Sequence, residues 1–202
     1  MIKFVFKWMI RLFLLAVVLA VILLLSLNSI LRVAAEHRIR AQTGMDAEIG
    51  RFSLSLLEPT VEIQDLKIYN STNFGGTPFL NIPEIHVEYD RAALARREIH
   101  VTLMRFNLGE LDIVKNENGQ TNIFAVGVPL LAKKSGGGTG GFKKRTGYDF
   151  KSIDVLNVSV GTVKFIDLKN QQNNREQTIG IEGLPIRNVK SQNDLAALGA
   201  LI

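Results

Sequence analysis

Residues 12–25 are fourteen consecutive apolar residues, and only Ser26, Asn28 and Ser29 interrupt the run before Leu31. No other feature restricts the chain so strongly. About twenty residues of helix cover a hydrocarbon core of about 30 Å, and a helix is the single-segment conformation that satisfies its own backbone there. The pattern predicts a transmembrane helix over residues 8–33, with Trp8 at an interface and charged residues just outside the run. A cleaved signal peptide is the competing reading, because Val33-Ala34-Ala35 offers small residues before Glu36. Against it, the run exceeds the length of a signal core, and Arg32 would lie inside the cleavage region.

The formal net charge of +5 does not point to nucleic acid. Residues 1–40 hold Lys3, Lys7, Arg11, Arg32, Arg38 and Arg40 against Glu36 alone, and the remainder holds 18 basic and 18 acidic residues. The excess therefore flanks the apolar run, and the rest of the chain has no electrostatic footprint for a polyanion. A short basic tail, residues 1–7, places the N-terminus in the cytoplasm and the following domain outside it. The chain has no cysteine, which removes disulfides, cysteine-type zinc sites and thiol chemistry. Roughly 160 residues remain beyond the run, enough for one domain with its own core.

Beyond Thr43-Gly44, which has the composition of a helix C-cap, the texture changes to period two. Phe52, Leu54 and Leu56 alternate with serines. Val61 and Ile63, then Leu66 and Ile68, form a run whose phase slips at Gln64-Asp65, the signature of a β-bulge or of two short strands. Residues 70–78 are rich in turn formers. Ile85, Val87 and Tyr89 alternate with polar residues, and Asp90 is placed to cap a short helix over 91–97. Ile99, Val101 and Leu103 form one further run, and Leu108, Leu111 and Ile113 another, ended by a turn at Asn118-Gly119. Residues 132–147 read as a flexible Gly-rich linker whose Lys133, Lys134, Lys143, Lys144 and Arg145 are candidates for contact with lipid headgroups. Two strands around Gly161, mixed strand texture over 178–190 and a short apolar tail at 195–202 complete the chain.

The fold expected is mainly β: seven to nine strands in a curved antiparallel sheet with one apolar and one solvated face, one short internal helix, and the N-terminal transmembrane helix. Residues 34–131 and 148–202 are its two parts, on either side of the linker. No catalytic, cofactor-binding or metal-ligating residue is assigned. His86 and His100 fall on polar phases of strands, His37 lies in the charged flank, and residues 136–141 match a phosphate loop in composition alone. The chain reads as non-enzymatic, with no cofactor.

The order of features resembles the N-terminal portion of the AsmA family of bacterial envelope proteins. The residues that carry the resemblance begin, after the apolar run, with Thr43-Gly44, Glu48-Ile49-Gly50 and Phe52-Ser53-Leu54. Val61-Glu62-Ile63, Asp65-Leu66-Lys67-Ile68 with Asn70, and Phe79-Leu80 with Ile82, Ile85, Val87 and Asp90 follow. After the short helix come Glu98-Ile99, Leu111-Asp112-Ile113-Val114 with Asn118-Gly119 and Asn122, and Val158-Ser159-Val160-Gly161-Thr162-Val163 with Phe165 and Asp167. The resemblance implies a single-pass anchor in the bacterial inner membrane and a periplasmic β domain related to groove-shaped lipid-transfer proteins. It also implies a role in envelope lipid homeostasis, lipid transport or outer-membrane biogenesis. Larger AsmA-like proteins are far longer, and strands of about fifteen residues reach only about 50 Å, so one copy alone would not bridge two membranes.

Two readings follow. In the first, Phe52, Leu54, Ile85, Val87, Val101 and Leu103 line an apolar groove for acyl chains, or else form an ordinary core. In the second, the domain is an assembly module that binds envelope proteins or its own copies through sheet edges or the basic linker.

Overall fold

In the computed structural model the described residues are 2–55, 57–123, 146–190 and 194, without the side chains of 2–10, 13 and 20–25. Helix α1 (Ile2–Thr43) is continuous for 42 residues. It ends where the sequence predicts: Gly44 takes φ +71, and its N–H donates to the Arg40 carbonyl at 2.8 Å. Among the described residues no helix is long and apolar enough to cross a membrane; residues 13 and 20–25, half of the apolar run, contribute no described side chain.

Six strands follow: β1 (Ala47–Ser55), β2 (Thr60–Tyr69), β3 (Pro78–Tyr89), β4 (Glu98–Lys115), β5 (Asp149–Asp167) and β6 (Arg175–Val189). They form one sheet in chain order. Helix α2 (Arg91–Ala95) joins β3 to β4, capped as expected by the Asp90 carboxylate, which accepts from the N–H groups of Ala92 and Ala93.

Two expectations are corrected. The sheet is mixed, because β5 runs parallel to β4 while every other pair is antiparallel. A parallel neighbour needs a crossover connection of a dozen or more residues, and residues 116–148 supply one. The strands are also fewer and longer, since the paired runs around residues 99–113 and 153–165 merge into β4 with 18 residues and β5 with 19. At about 3.3 Å per residue these reach about 60 Å.

The merging has a steric reason. Gly161 lies against Gly109 in the middle of the sheet, where a Cβ on Gly161 would stand 2.4 Å from the Gly109 carbonyl oxygen. It is thus a site of close backbone approach inside one strand rather than a turn. The slip in phase at Gln64-Asp65 is present, but as neither a β-bulge nor a break between two strands: Asp65 adopts φ +53 opposite Gly50 inside one continuous strand whose register does not shift there.

The edge strand β1 is sealed by α1. Asn28, Arg32 and Glu36 recur at every fourth residue, so they share one helix face. The Asn28 Oδ1 accepts from the Leu54 N–H at 3.1 Å, the Arg32 Nη1 donates to the Gly50 carbonyl at 3.5 Å, and the Glu36 Oε1 accepts from the Ile49 N–H at 2.9 Å. Ala35 and Ile39 pack on the core formed by Ile49, Leu66 and Ile82. Removing the acceptor in Glu36→Ala leaves a half-buried N–H unpaired at a cost of about 1–3 kcal/mol. Amide exchange at Ile49 should then quicken by about tenfold or more, and an unchanged rate there would show that the helix does not hold the edge.

Candidate functional site

The interruption at Gly50 and Asp65, which leaves the register unshifted, lets each strand keep its apolar side chains on one face despite the slip in phase. Two rows then run across all six strands, fixed by the register. One is Phe52, Ile63, Ile85, Phe106, Val158 and Leu184; the other is Leu54, Val61, Val87, Met104, Leu156 and Ile186. Leu156 is buried and Leu184 exposed, but the other ten are half-buried. At about 4.8 Å per strand the face is about 24 Å wide. On the β1 side α1 covers part of it; toward β6 Val101, Ile153, Leu156 and Val189 form a second buried cluster, and Phe106 packs against both clusters.

Of the six residues expected on this face, Phe52 and Ile85 lie in the first row, and Leu54 and Val87 in the second. Val101 is a core residue, 7% exposed. Leu103 is on the other face, because it stands opposite Glu88 while its neighbour Met104 pairs with Val87. The register shift at Glu88/Tyr89 moves the phase between Val101 and Met104, which strict alternation along Ile99, Val101 and Leu103 does not reveal. Ile63, Phe106, Val158 and Leu184 complete the first row and Val61, Met104, Leu156 and Ile186 the second, and their places in the rows were legible only once strand pairing was known. Lys133, Lys134, Lys143, Lys144 and Arg145 lie outside the described residues.

The opposite face is polar and largely satisfied by its own neighbours. Glu62 stands directly across from His86, and the sheet gathers Glu62, Glu84 and His86 so that one ligand atom from each lies within 4.8 Å of the others. This is the group among the described residues that could hold a metal ion. Each member already has a partner: Glu62 accepts from the Gln64 amide at 2.6 Å, Glu84 pairs with Arg105 at 3.3 Å, and the His86 Nε2 lies 3.2 Å from Glu88. Nearer α2, the His100 Nε2 stands 2.9 Å from Asp154, whose hydrogen bond, reinforced by Asp90, holds the imidazole above its ordinary value. Two depressions, of about 590 and 390 Å³, open at the far end of the sheet, lined mainly by polar residues such as Asn70, Thr72 and Asn116. Neither is on the apolar face.

Further along the polar face, Asp112, Lys164 and Glu176 stand side by side across β4, β5 and β6. The Lys164 Nζ contacts Glu110 at 2.5 Å, while Asp112 is 6% exposed and its Oδ1 has no hydrogen-bond partner among the described residues. Burial, then the charge of Glu110, push the Asp112 carboxyl up to about 6 from 3.8. The folded state therefore holds this proton more tightly than the unfolded chain, so the contribution to stability is full below about 3.8 and is lost as pH rises through about 6. Asp112→Asn should flatten that loss and stabilise the domain at pH 8 by on the order of 1 kcal/mol. Urea unfolding of both proteins at acidic and alkaline pH checks it, and parallel curves would refute it. No family model matches the chain, and neither the curated proteins nor the solved structures give a match.

Proposed function

We propose that this chain is a membrane-anchored, non-catalytic module in bacterial envelope lipid homeostasis, serving lipid transport or outer-membrane biogenesis, as its resemblance to the AsmA family implies. In this reading residues 8–27 of α1 cross the inner membrane with the N-terminus in the cytoplasm, a shorter span than the expected 8–33 because Asn28 and Arg32 are already bonded to β1, and the sheet stands in the periplasm. The apolar run of residues 12–25 supports the anchor, as do the exposed Leu12, Leu14, Leu15, Val17, Val18 and Leu19 on a helix that continues past the sheet.

One observation carries the lipid reading: ten of the twelve side chains in the two apolar rows are half-buried. A packed core would bury them fully and a solvated face would be polar. A face held between these limits suits an acyl chain, which needs apolar area and no catalytic group. The assembly reading has its own support in β6, the strand at the other sheet edge, which is exposed over most of its length.

Lipid extraction and mass spectrometry of the full chain purified in detergent should find co-purified phospholipid. Phe106→Glu should lower its amount by about tenfold, the loss expected from one large apolar contact, with the strand signal in circular dichroism retained. Absence of lipid together with a stable homo-oligomer would overturn the lipid reading in favour of assembly.

A further inference from the structure

The end of the sheet nearest the apolar run carries an apolar and basic rim that neither reading above uses. The bond from the Leu54 N–H to Asn28 sets β1 level with that point of α1. From there the helix runs toward residue 25 and the apolar run, while β1 runs the same way into its turn with β2. One further extended residue carries β1 about 3.3 Å to its end at Ser55, as far as about two residues of helix advance, and Leu57 lies in the turn beyond that end. Leu57, at the turn, therefore comes level with the last residues of the run.

Leu57 is 91% exposed, and the fold holds it there. The Arg91 guanidinium donates to the Leu57 carbonyl, and the Tyr89 N–H donates to the Pro59 carbonyl at 2.9 Å, tying α2 to the same turn. Helix α2 turns Ala93 inward, 1% exposed, and Leu94 outward, 39% exposed. Residues 91–97, between Asp90 and Glu98, include three arginines, Arg91, Arg96 and Arg97, all exposed, of which Arg96 lies 3.4 Å from Glu98. Arg97 occupies φ +61, where glycine would be unstrained, with its carbonyl fixed by the Asp149 N–H at 2.9 Å.

We infer that this rim, Leu57 and Leu94 with the α2 arginines, docks in the anionic headgroup layer of the membrane that α1 enters. The inference rests on the anchor reading. Two aliphatic side chains at one level enter the interfacial layer, and guanidinium groups beside them meet lipid phosphates in charge-assisted hydrogen bonds. The domain is thereby held at a fixed tilt, with the first strands against the bilayer surface rather than swinging on a single helix.

Because the chain has no cysteine, single labels can be placed cleanly. A polarity-sensitive fluorophore on Leu57→Cys or Leu94→Cys is compared with labels on Val18→Cys in the apolar run and Asn118→Cys at the far end. The full chain is reconstituted in vesicles of phosphatidylethanolamine and phosphatidylglycerol. The labels at 57 and 94 should lose most of their access to aqueous iodide and be quenched by a headgroup-attached nitroxide, while the label at 118 stays open to iodide. Leu57→Asp should restore iodide access at the label on 94. Exchanging phosphatidylglycerol for phosphatidylcholine, or combining Arg96→Gln with Arg97→Gln, should weaken the nitroxide quenching; unchanged quenching overturns the role of the arginines. If 57 and 94 behave like 118 while 18 lies in lipid, the rim docking is overturned and the anchor stands. If 18 is also aqueous, the anchor reading fails and the inference with it.

Discussion

The structure depends first on the contact between α1 and β1. An edge strand presents a row of unpaired donors and acceptors, and this one would otherwise be open to any passing strand. The helix supplies a carboxamide, a guanidinium and a carboxylate from Asn28, Arg32 and Glu36, matched to an N–H, a carbonyl and an N–H on β1. Three polar residues that look out of place beside an apolar run thus have backbone partners on the sheet. The same contact limits assembly. With β1 covered, copies cannot add edge to edge in a head-to-tail series, and only the β6 edges remain to meet, which closes at two.

A second constraint runs across the sheet. Gly50 faces Asp65, Asp65 faces Pro83 and Gly109 faces Gly161 in the registers of their strands, and Gly109, one residue off Pro83 in the register of β3 and β4, lies against its ring, so the five run close together across β1 to β5. A Cβ on Gly50 would meet Asp65 at 2.9 Å, and one on Gly109 would meet the Pro83 ring at 3.0 Å. At this line each strand skips a residue in its apolar phase, so Ile49 and Phe52 serve the same cluster. Pro83 cannot donate to a ladder and would be out of place in a regular central strand. It is accommodated because the ladder is already interrupted there. Asp65 takes the left-handed conformation that Asp tolerates better than most residues.

What was legible in the sequence follows from how local each signal is. The helix stop at Thr43-Gly44, the Asp90 cap and the slip in phase at Asp65 depend on a few adjacent residues and stand where they were expected. The merging of runs into β4 and β5 was not legible, because Gly161 reads as a turn until Gly109 is known to lie against it. The parallel pairing was hidden for a similar reason: a connection as long as residues 116–148 fits a hairpin with a long loop or a crossover equally well. Four of the six residues expected on the apolar face are in its rows. Val101 lies beyond the rows on the same face, in the buried cluster with Leu156 and Val189, and Leu103 is on the other face, since strict alternation cannot see a register shift imposed by the neighbouring strand.

These constraints together shape the apolar face. The line of interruptions keeps its side chains on one side over long strands, and α1 closes the β1 side by packing Ala35 and Ile39 against it. On β6 the first row opens, with Leu184 38% exposed at its end, whereas Val189 on the same strand is 1% exposed in the second buried cluster. The face reaches water at the Leu184 end of its first row. Under the lipid reading, an acyl chain would therefore lie with its end against the α1 side and its headgroup toward β6, because a charged headgroup can remain solvated only where the rows reach water.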